Sequence, residues 1–201
     1  MKIFAALLAA AAGLLAATAP AAEERRSGAA RLMNELMTGK AVGRPFALTD
    51  ARGRKTALAD FRGKLVLLYF GFLSCPDICP TDLMVISQAI KSLGAEGERL
   101  QPLFITLDPV RDKPEALGAY AGGFHPRFVA LTGSEAQIRQ VASDYKVFFE
   151  KVPVPGTGSY TIDHAAFTFL LDRNGKYIGL FPPGTSAERM AAILREQLRA
   201  L

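Results

Sequence analysis

The sequence predicts an α/β fold, a mixed central sheet with helices on both faces and an N-terminal β-hairpin. Three observations predict it. Short apolar runs that read as strands alternate with segments whose apolar residues recur at helical spacing. Tight polar turns mark a hairpin at each end of that alternation. Helix-opening patterns such as Ser134-Glu135-Ala136-Gln137 fall between the runs.

The first 22 residues carry one charge, Lys2, ahead of an Ala/Leu-rich run, and Ala19-Pro20-Ala21 supplies the small-residue pattern of a signal-peptidase site. Residues 1–22 are read as a signal peptide. The competing reading is an uncleaved membrane anchor, because a run of roughly 20 uncharged residues is long enough to cross a bilayer. Either way the protein is expected to be exported, periplasmic or anchored facing the periplasm. Residues 23–42 form a polar N-terminal arm, with at most a short amphipathic helix around Leu32, Met33, Leu36 and Met37. Residues 43–201 make up the domain itself, a size at which one core suffices.

Within that domain 46–49 and 55–58 read as a small hairpin, with Gly53 supplying the turn conformation. Residues 65–70 form a wholly apolar central strand. Leu83, Ile86, Ile90 and Leu93 recur at helical spacing, predicting a helix over 81–93 that Gly94 ends. A strand at 102–106, a charged loop at 108–113, a helix at 114–121 and a short strand at 128–131 follow. The capping box at Ser134 opens a helix that runs to about Tyr145. Residues 153–159 read as a Pro/Gly loop leading into Asp163-His164. Strands at 167–171 and 177–180 flank the hairpin turn Arg173-Asn174-Gly175. The last helix starts near Thr185 or Ser186, with Glu188 completing a second capping box, and buries Met190, Ile193, Leu194 and Leu198.

The net charge is +5, but basic residues are scattered among acidic ones and no basic run with interleaved aromatics occurs. This pattern is a solvated basic surface and argues against a nucleic-acid partner. The only two cysteines stand in Cys75-Pro76-Asp77-Ile78-Cys79-Pro80, directly after the apolar strand. Their spacing places both sulfurs about one helical turn apart on one face, which favours a metal clip or a redox pair. A disulfide there would close too short a loop to constrain the unfolded chain much, so a structural staple is the weakest reading.

Two thiolates suit Cu(I), and one added imidazole makes a trigonal site able to hold Cu(II) as well. His164 is the candidate third ligand, since it opens a strand after a flexible loop and can reach the strand edge where the cysteines lie. The competing reading is an ordinary hydrogen-bonded histidine. A helix N-terminus after Pro80 is expected to lower the thiol pKa values. His125 is read as structural, and Met84 and Met190 as core or flank. Asp163 either sets the His164 tautomer or caps a turn. Asp77 is expected to cap the helix, and the loop Asp108-Pro109 with Arg111 and Asp112 is read as a turn held by local pairing.

The segments 71–83, beginning Gly71-Phe72-Leu73-Ser74-Cys75, then Leu107-Asp108-Pro109-Val110-Arg111-Asp112, then Asp163-His164 before an apolar strand, resemble the Sco/SenC proteins. The resemblance spans about residues 42–201. It implies a thioredoxin-like fold, with copper held by Cys75, Cys79 and His164. It further implies a copper chaperone that helps to assemble the dinuclear copper site of cytochrome c oxidase. Its partners would be the copper-site subunit of that oxidase or another copper chaperone, and a monomer is expected. Ala165 departs from the small hydroxyl residue that many relatives carry there. The alternative is an enzyme, a thiol-disulfide oxidoreductase with Cys75 and Cys79 as its catalytic thiols. A peroxidase would want a single activated cysteine with a nearby arginine, and a zinc enzyme with a two-cysteine, one-histidine site would want a general base that is not evident.

Overall fold

The computed structural model describes residues 34–36, 38 and 42–200. The chain divides into two units, Met1–Lys40 and Ala41–Leu201. In the first, residues 34–36 and 38 are helical, at the place where the short amphipathic helix is expected. The segment expected to be a signal or anchor, and most of the arm, lie outside the described residues. Among the described residues no helix is long and apolar enough to cross a membrane.

The second unit is built on a seven-stranded sheet. Its strands are β1 (Ala47–Asp50), β2 (Lys55–Ala57), β3 (Leu65–Gly71), β4 (Leu100–Thr106), β5 (Val129–Thr132), β8 (Thr168–Leu171) and β9 (Tyr177–Phe181), in the order β2-β1-β5-β4-β3-β8-β9. β3, β4 and β5 run parallel, while β1 lies antiparallel to β5 and β8 antiparallel to β3. Every residue of β3 and β4 is buried, which is why β3 reads as an unbroken apolar run and β4 carries apolar residues on both faces between Gln101 and Thr106.

Four helices connect and cover the strands: α1 (Ile78–Ser92), α2 (Pro114–Phe124), α3 (Glu135–Asp144) and α4 (Ala187–Arg199). Alternation along β3 sends Tyr69 and Phe70 to opposite faces. Tyr69 stacks on Phe104, which meets Tyr120 of α2, and Tyr120 meets Phe124. Phe70 packs instead against Tyr145, just past α3, and against Phe169, and Tyr145 also meets Phe46. Helices therefore cover both faces, as the alternation of elements predicts.

The element boundaries differ from expectation in instructive places. α1 starts at Ile78, three residues before the expected start, so Cys79 lies inside the first turn. The box at Ser134 forms with Gln137 as expected. The one at the last helix does not: Ser186 caps the backbone of Arg189, which leaves Glu188 one position too early to close it. The largest difference lies at residues 149–164. Instead of a loop leading to a strand that His164 opens, the chain forms a separate two-stranded hairpin, β6 (Phe149–Val154) with β7 (Ser159–His164). His164 closes β7. The exposed side chains of β6 and its Pro153 give a polar pattern that hides the strand, although Pro is compatible with an edge position.

Candidate metal centre

The two cysteines are positioned by the end of the central strand. β3 finishes at Gly71, the chain turns through Phe72, Leu73 and Ser74, and the Cys75 amide donates to the Phe72 carbonyl at 3.2 Å. α1 then begins, and its first turn carries Cys79 directly over Gly71. A Cβ at Gly71 would lie 2.9 Å from Cys79 Sγ and 3.0 Å from the Phe104 ring. Only glycine leaves room for the sulfur, a close approach that a glycine at the end of a strand can mark in sequence. Cys79 is 0% exposed and Cys75 8%. Asp77 occupies the position before α1, yet its side chain is exposed and makes no capping bond. At this helix start Cys75 Sγ, not the Asp77 carboxylate, accepts from the Cys79 amide, while the Asp77 carbonyl accepts from Thr81 Oγ1 at 3.0 Å.

His164 arrives from the opposite side, on the last residue of β7. Its Nε2 stands 3.6 Å from Cys79 Sγ, and one donor atom from each of Cys75, Cys79 and His164 lies within 4.8 Å of the others. Phe72 meets the imidazole edge to face, with ring centroids 6.0 Å apart. Between the cysteine loop and β7 lies a cleft of about 270 Å³, bordered by Phe72, Cys75, Ile78, Ile162 and His164. Asp163 is exposed, and strand alternation points its side chain away from the imidazole. It therefore acts on His164 through its field rather than by fixing a tautomer. His164 Nδ1 is buried with the Ala165 backbone nearby but no hydrogen-bond partner among the described residues. The Ala165 side chain offers none.

Burial dominates the electrostatics. It pushes the Cys79 thiol well above the ordinary thiol range, and the neighbouring sulfur of Cys75 adds to the effect. The helix N-terminus is present, since the Cys79 amide donates to Cys75 Sγ at 3.3 Å, but it does not lower the Cys79 pKa as the sequence suggested. Desolvation of a fully buried sulfur outweighs the dipole. Burial likewise depresses His164, against a smaller opposing pull from the Ala165 backbone and Asp163, so the ring is neutral at pH 7 and free to act as a ligand. Behind Cys79, Asp82 is buried with Oδ2 unpartnered. Desolvation raises its pKa to about 6, opposed by the Tyr69 hydroxyl.

The charged loop does more than close on itself. Asp112 Oδ2 accepts from Thr106 Oγ1 at 2.6 Å and from the Leu73 amide at 3.1 Å, which ties it to the cysteine loop. Arg111 pairs with Asp108, donates to the Tyr160 carbonyl at 2.8 Å and stacks 3.7 Å over the Tyr160 ring. Tyr160 in turn donates its hydroxyl to Asp108 at 2.9 Å. Local pairing is thus half of the account; the other half reaches 49 and 52 residues along the chain. Gly71, Phe72 and Tyr160 are the site residues that sequence reasoning leaves unassigned, and Asp112, read there only as part of a turn, is the one that ties the cysteine loop.

The second histidine and the two helix methionines fall where expected. His125 is buried away from the cysteines, and its Nδ1 accepts from the Arg127 amide at 3.2 Å. Met190 is in the core and Met84 is exposed on the flank of α1.

A thioredoxin-like sheet with two buried thiols and a neutral imidazole converging at its edge defines a class of soft-metal and thiol proteins. The SCO1/SenC family profile matches residues 34–199. An SCO2-like protein of Rickettsia prowazekii is 42% identical over 157 residues, covering 78% of this chain and 77% of that protein. The mitochondrial SCO2 homolog of Bos taurus is 41% identical over 180 residues, covering 88% of this chain and 68% of that one. Among solved structures, Arabidopsis thaliana ScoI with copper bound superposes with a TM-score of 0.75 at 30% identity, covering 80% of this chain and 99% of that chain. The chain belongs to the SCO1/SenC family.

Two variants test how tightly the site is packed and charged. Gly71→Ala is expected to destabilise the metal-free protein by about 1–3 kcal/mol, because the new methyl overlaps Cys79 Sγ. Urea unfolding reads this, and an unchanged midpoint would show that the first turn of α1 can shift freely. Asp82 favours its protonated form in the folded state, so its stabilising contribution is full near pH 4 and is lost as pH rises through about 6. Asp82→Asn should therefore match the native protein at pH 4 and exceed it at pH 7 by about 1 kcal/mol. Equal stability at both pH values would refute the assignment.

Proposed function

We propose that this protein is a copper chaperone of the cytochrome c oxidase assembly type, holding Cu(I) or Cu(II) through Cys75, Cys79 and His164. One observation carries the reading: two sulfurs and one imidazole nitrogen, far apart in sequence, meet within 4.8 Å. The donor set fits the cargo. Thiolates are soft ligands for Cu(I), and the imidazole extends the site to Cu(II). The copper-bound relative supports the same assignment. Three protein donors leave room for an incoming ligand. A cysteine of the acceptor can bind the ion before Cys75 or His164 leaves, and copper then passes by exchange without turnover.

The acceptor in this reading is the copper-site subunit of the oxidase, or another copper chaperone, and the protein acts as a monomer. Residues 1–22 serve as the export signal or anchor, 23–42 as the tether and 43–201 as the copper-binding domain. The protein works on the periplasmic side.

Visible absorption after addition of Cu(II) tests the ligand set. The native protein is expected to show strong sulfur-to-copper charge transfer. Cys75→Ser and Cys79→Ser should each lose most of it, and His164→Ala should shift it and weaken binding. A His164→Ala protein with the native spectrum and affinity would overturn the reading. Binding must also displace the proton that burial holds on Cys79, so copper affinity is expected to rise with pH around neutrality, by about tenfold per pH unit for each proton released. Proton release in weakly buffered solution measures it, and a pH-independent affinity would contradict it.

One observation favours a second role. Both cysteines are free thiols, and Cys75 is the more accessible of the two. As a reductase, Cys75 would attack a disulfide of the copper-site partner and Cys79 would then resolve the mixed disulfide. The Cys75–Cys79 disulfide forms, and the two thiol protons pass to the partner's two released thiols. Reduction of an oxidised copper-site peptide by metal-free His164→Ala, abolished in Cys75→Ala, would establish this chemistry as separate from copper binding.

A further inference from the structure

The hairpin that carries His164 stands outside the main sheet, and its two strands pair only with one another. Something must therefore fix where the imidazole sits relative to the sulfurs. Asp108 is fully buried and receives both the Arg111 guanidinium and the Tyr160 hydroxyl. Arg111 covers the face of the Tyr160 ring and bonds its carbonyl, so it grips β7 by backbone and side chain together. Four residues along the same loop, Asp112 holds the Leu73 amide, two residues before Cys75. A single loop after β4 thus touches both ligand-bearing segments.

We propose that Asp108 and Arg111, acting through Tyr160, are positioning residues that hold the β6–β7 hairpin so that His164 meets Cys75 and Cys79. This rests on the three-ligand copper reading above and deepens it. The loop then works as a strut: Asp112 sets the cysteine side and Asp108 with Arg111 sets the histidine side. Loss of the strut frees the imidazole while leaving both sulfurs in place, which turns a three-donor site into a two-donor one. Charge-assisted contacts at a desolvated carboxylate are strong enough to set such an orientation, and an arginine is suited to it because its planar fork can pair with a carboxylate while its face stacks on an aromatic ring.

The test compares full-length native protein with Arg111→Gln, Tyr160→Phe and His164→Ala, and with Arg111→Gln combined with His164→Ala. Two readouts are used. In the metal-free state, NMR cross-peaks between the rings of Phe72 and His164 report whether the imidazole keeps its place. With Cu(I), competition against a chromophoric chelator reports affinity.

Arg111→Gln should lose the cross-peaks and bind Cu(I) about ten- to hundredfold more weakly, the range seen when partners of metal ligands are removed. Tyr160→Phe keeps the ring and loses only the bond to Asp108, so it should fall between this variant and the native protein. The combined variant should bind no more weakly than His164→Ala alone, because both changes remove the same donor. An Arg111→Gln protein that keeps the cross-peaks and native affinity overturns the proposal. So does a loss in affinity that is just as large in the His164→Ala background. If Arg111→Gln does not fold, Tyr160→Phe alone and combined with His164→Ala carries the same comparison with the same outcomes. A His164→Ala protein with native copper affinity overturns the three-ligand reading instead, and the metal-free cross-peaks still decide whether the strut holds the hairpin.

Discussion

Everything at the site hangs on the parallel pairing of β3 with β4. Seven residues run in register from Leu65 opposite Leu100 to Gly71 opposite Thr106, and the Leu107 amide extends the ladder by donating to the Gly71 carbonyl at 2.7 Å. Two parallel neighbours end at the same edge, so the loops that follow them are forced side by side. One is the cysteine loop and the other is the loop from Asp108 to Asp112. A shift of register by one residue would turn Tyr69 and Phe70 to the wrong faces, breaking both aromatic clusters at once. The core strands thereby fix the position of the chemistry, although no side chain of β3 or β4 supplies a proposed ligand.

That edge combines two demands that pull against each other. A soft metal site gains from sulfur shielded from water, and Gly71 allows this by letting α1 press Cys79 onto the end of the strand. Shielding also raises the thiol's pKa, so the same burial that protects the sulfur keeps a proton on it. A fully exposed pair would ionise more easily but would also be open to oxidation. The graded burial here, with Cys79 sealed and Cys75 at the mouth of the cleft, separates the two demands between two residues. On the proposed reading Cys75 is the natural point of exchange with a partner and Cys79 the retained anchor.

Much of this architecture is legible in the residues. The apolar runs of β3 and β4, the box at Ser134 and the turn at Asn174-Gly175 each follow from local physics and appear where expected. The two cysteines and the distant histidine announce themselves by scarcity, since the chain has two of each residue type. What stays hidden depends on long-range contact. β6 reads as a loop because its exposed edge carries Glu150, Lys151 and Pro153, a composition that protects an edge strand and erases its periodicity. Tyr160 looks like one more aromatic near a turn until Asp108 and Arg111 are brought to it from about 50 residues away. The thiol pKa fails for a related reason. A helix start can be seen in sequence, whereas the desolvation that outweighs it is a property of the assembled core.

The placement of His164 on a hairpin outside the main sheet has a consequence for transfer. A ligand built into the seven-stranded sheet could leave the metal only by disturbing strand pairing that the whole core supports. β6 and β7 exchange backbone hydrogen bonds with one another alone, so the hairpin can shift as a unit without breaking a ladder of the sheet. The restraints that remain are side-chain contacts, chiefly those of Arg111 and Asp108 with Tyr160 and the exposed pair of Lys151 with Glu135 at 3.1 Å. The Lys151–Glu135 pair is exposed and weak, whereas the contacts at buried Asp108 are strong but few, so the hairpin is held at one point rather than along a ladder of strand bonds. On the proposed reading a cargo protein gains from this asymmetry: two donors on the loop and first helical turn that follow the central strand, and a third on an element outside the sheet. The same division places the neutral, weakly basic imidazole on the movable side, where departure leaves no unpaired charge behind.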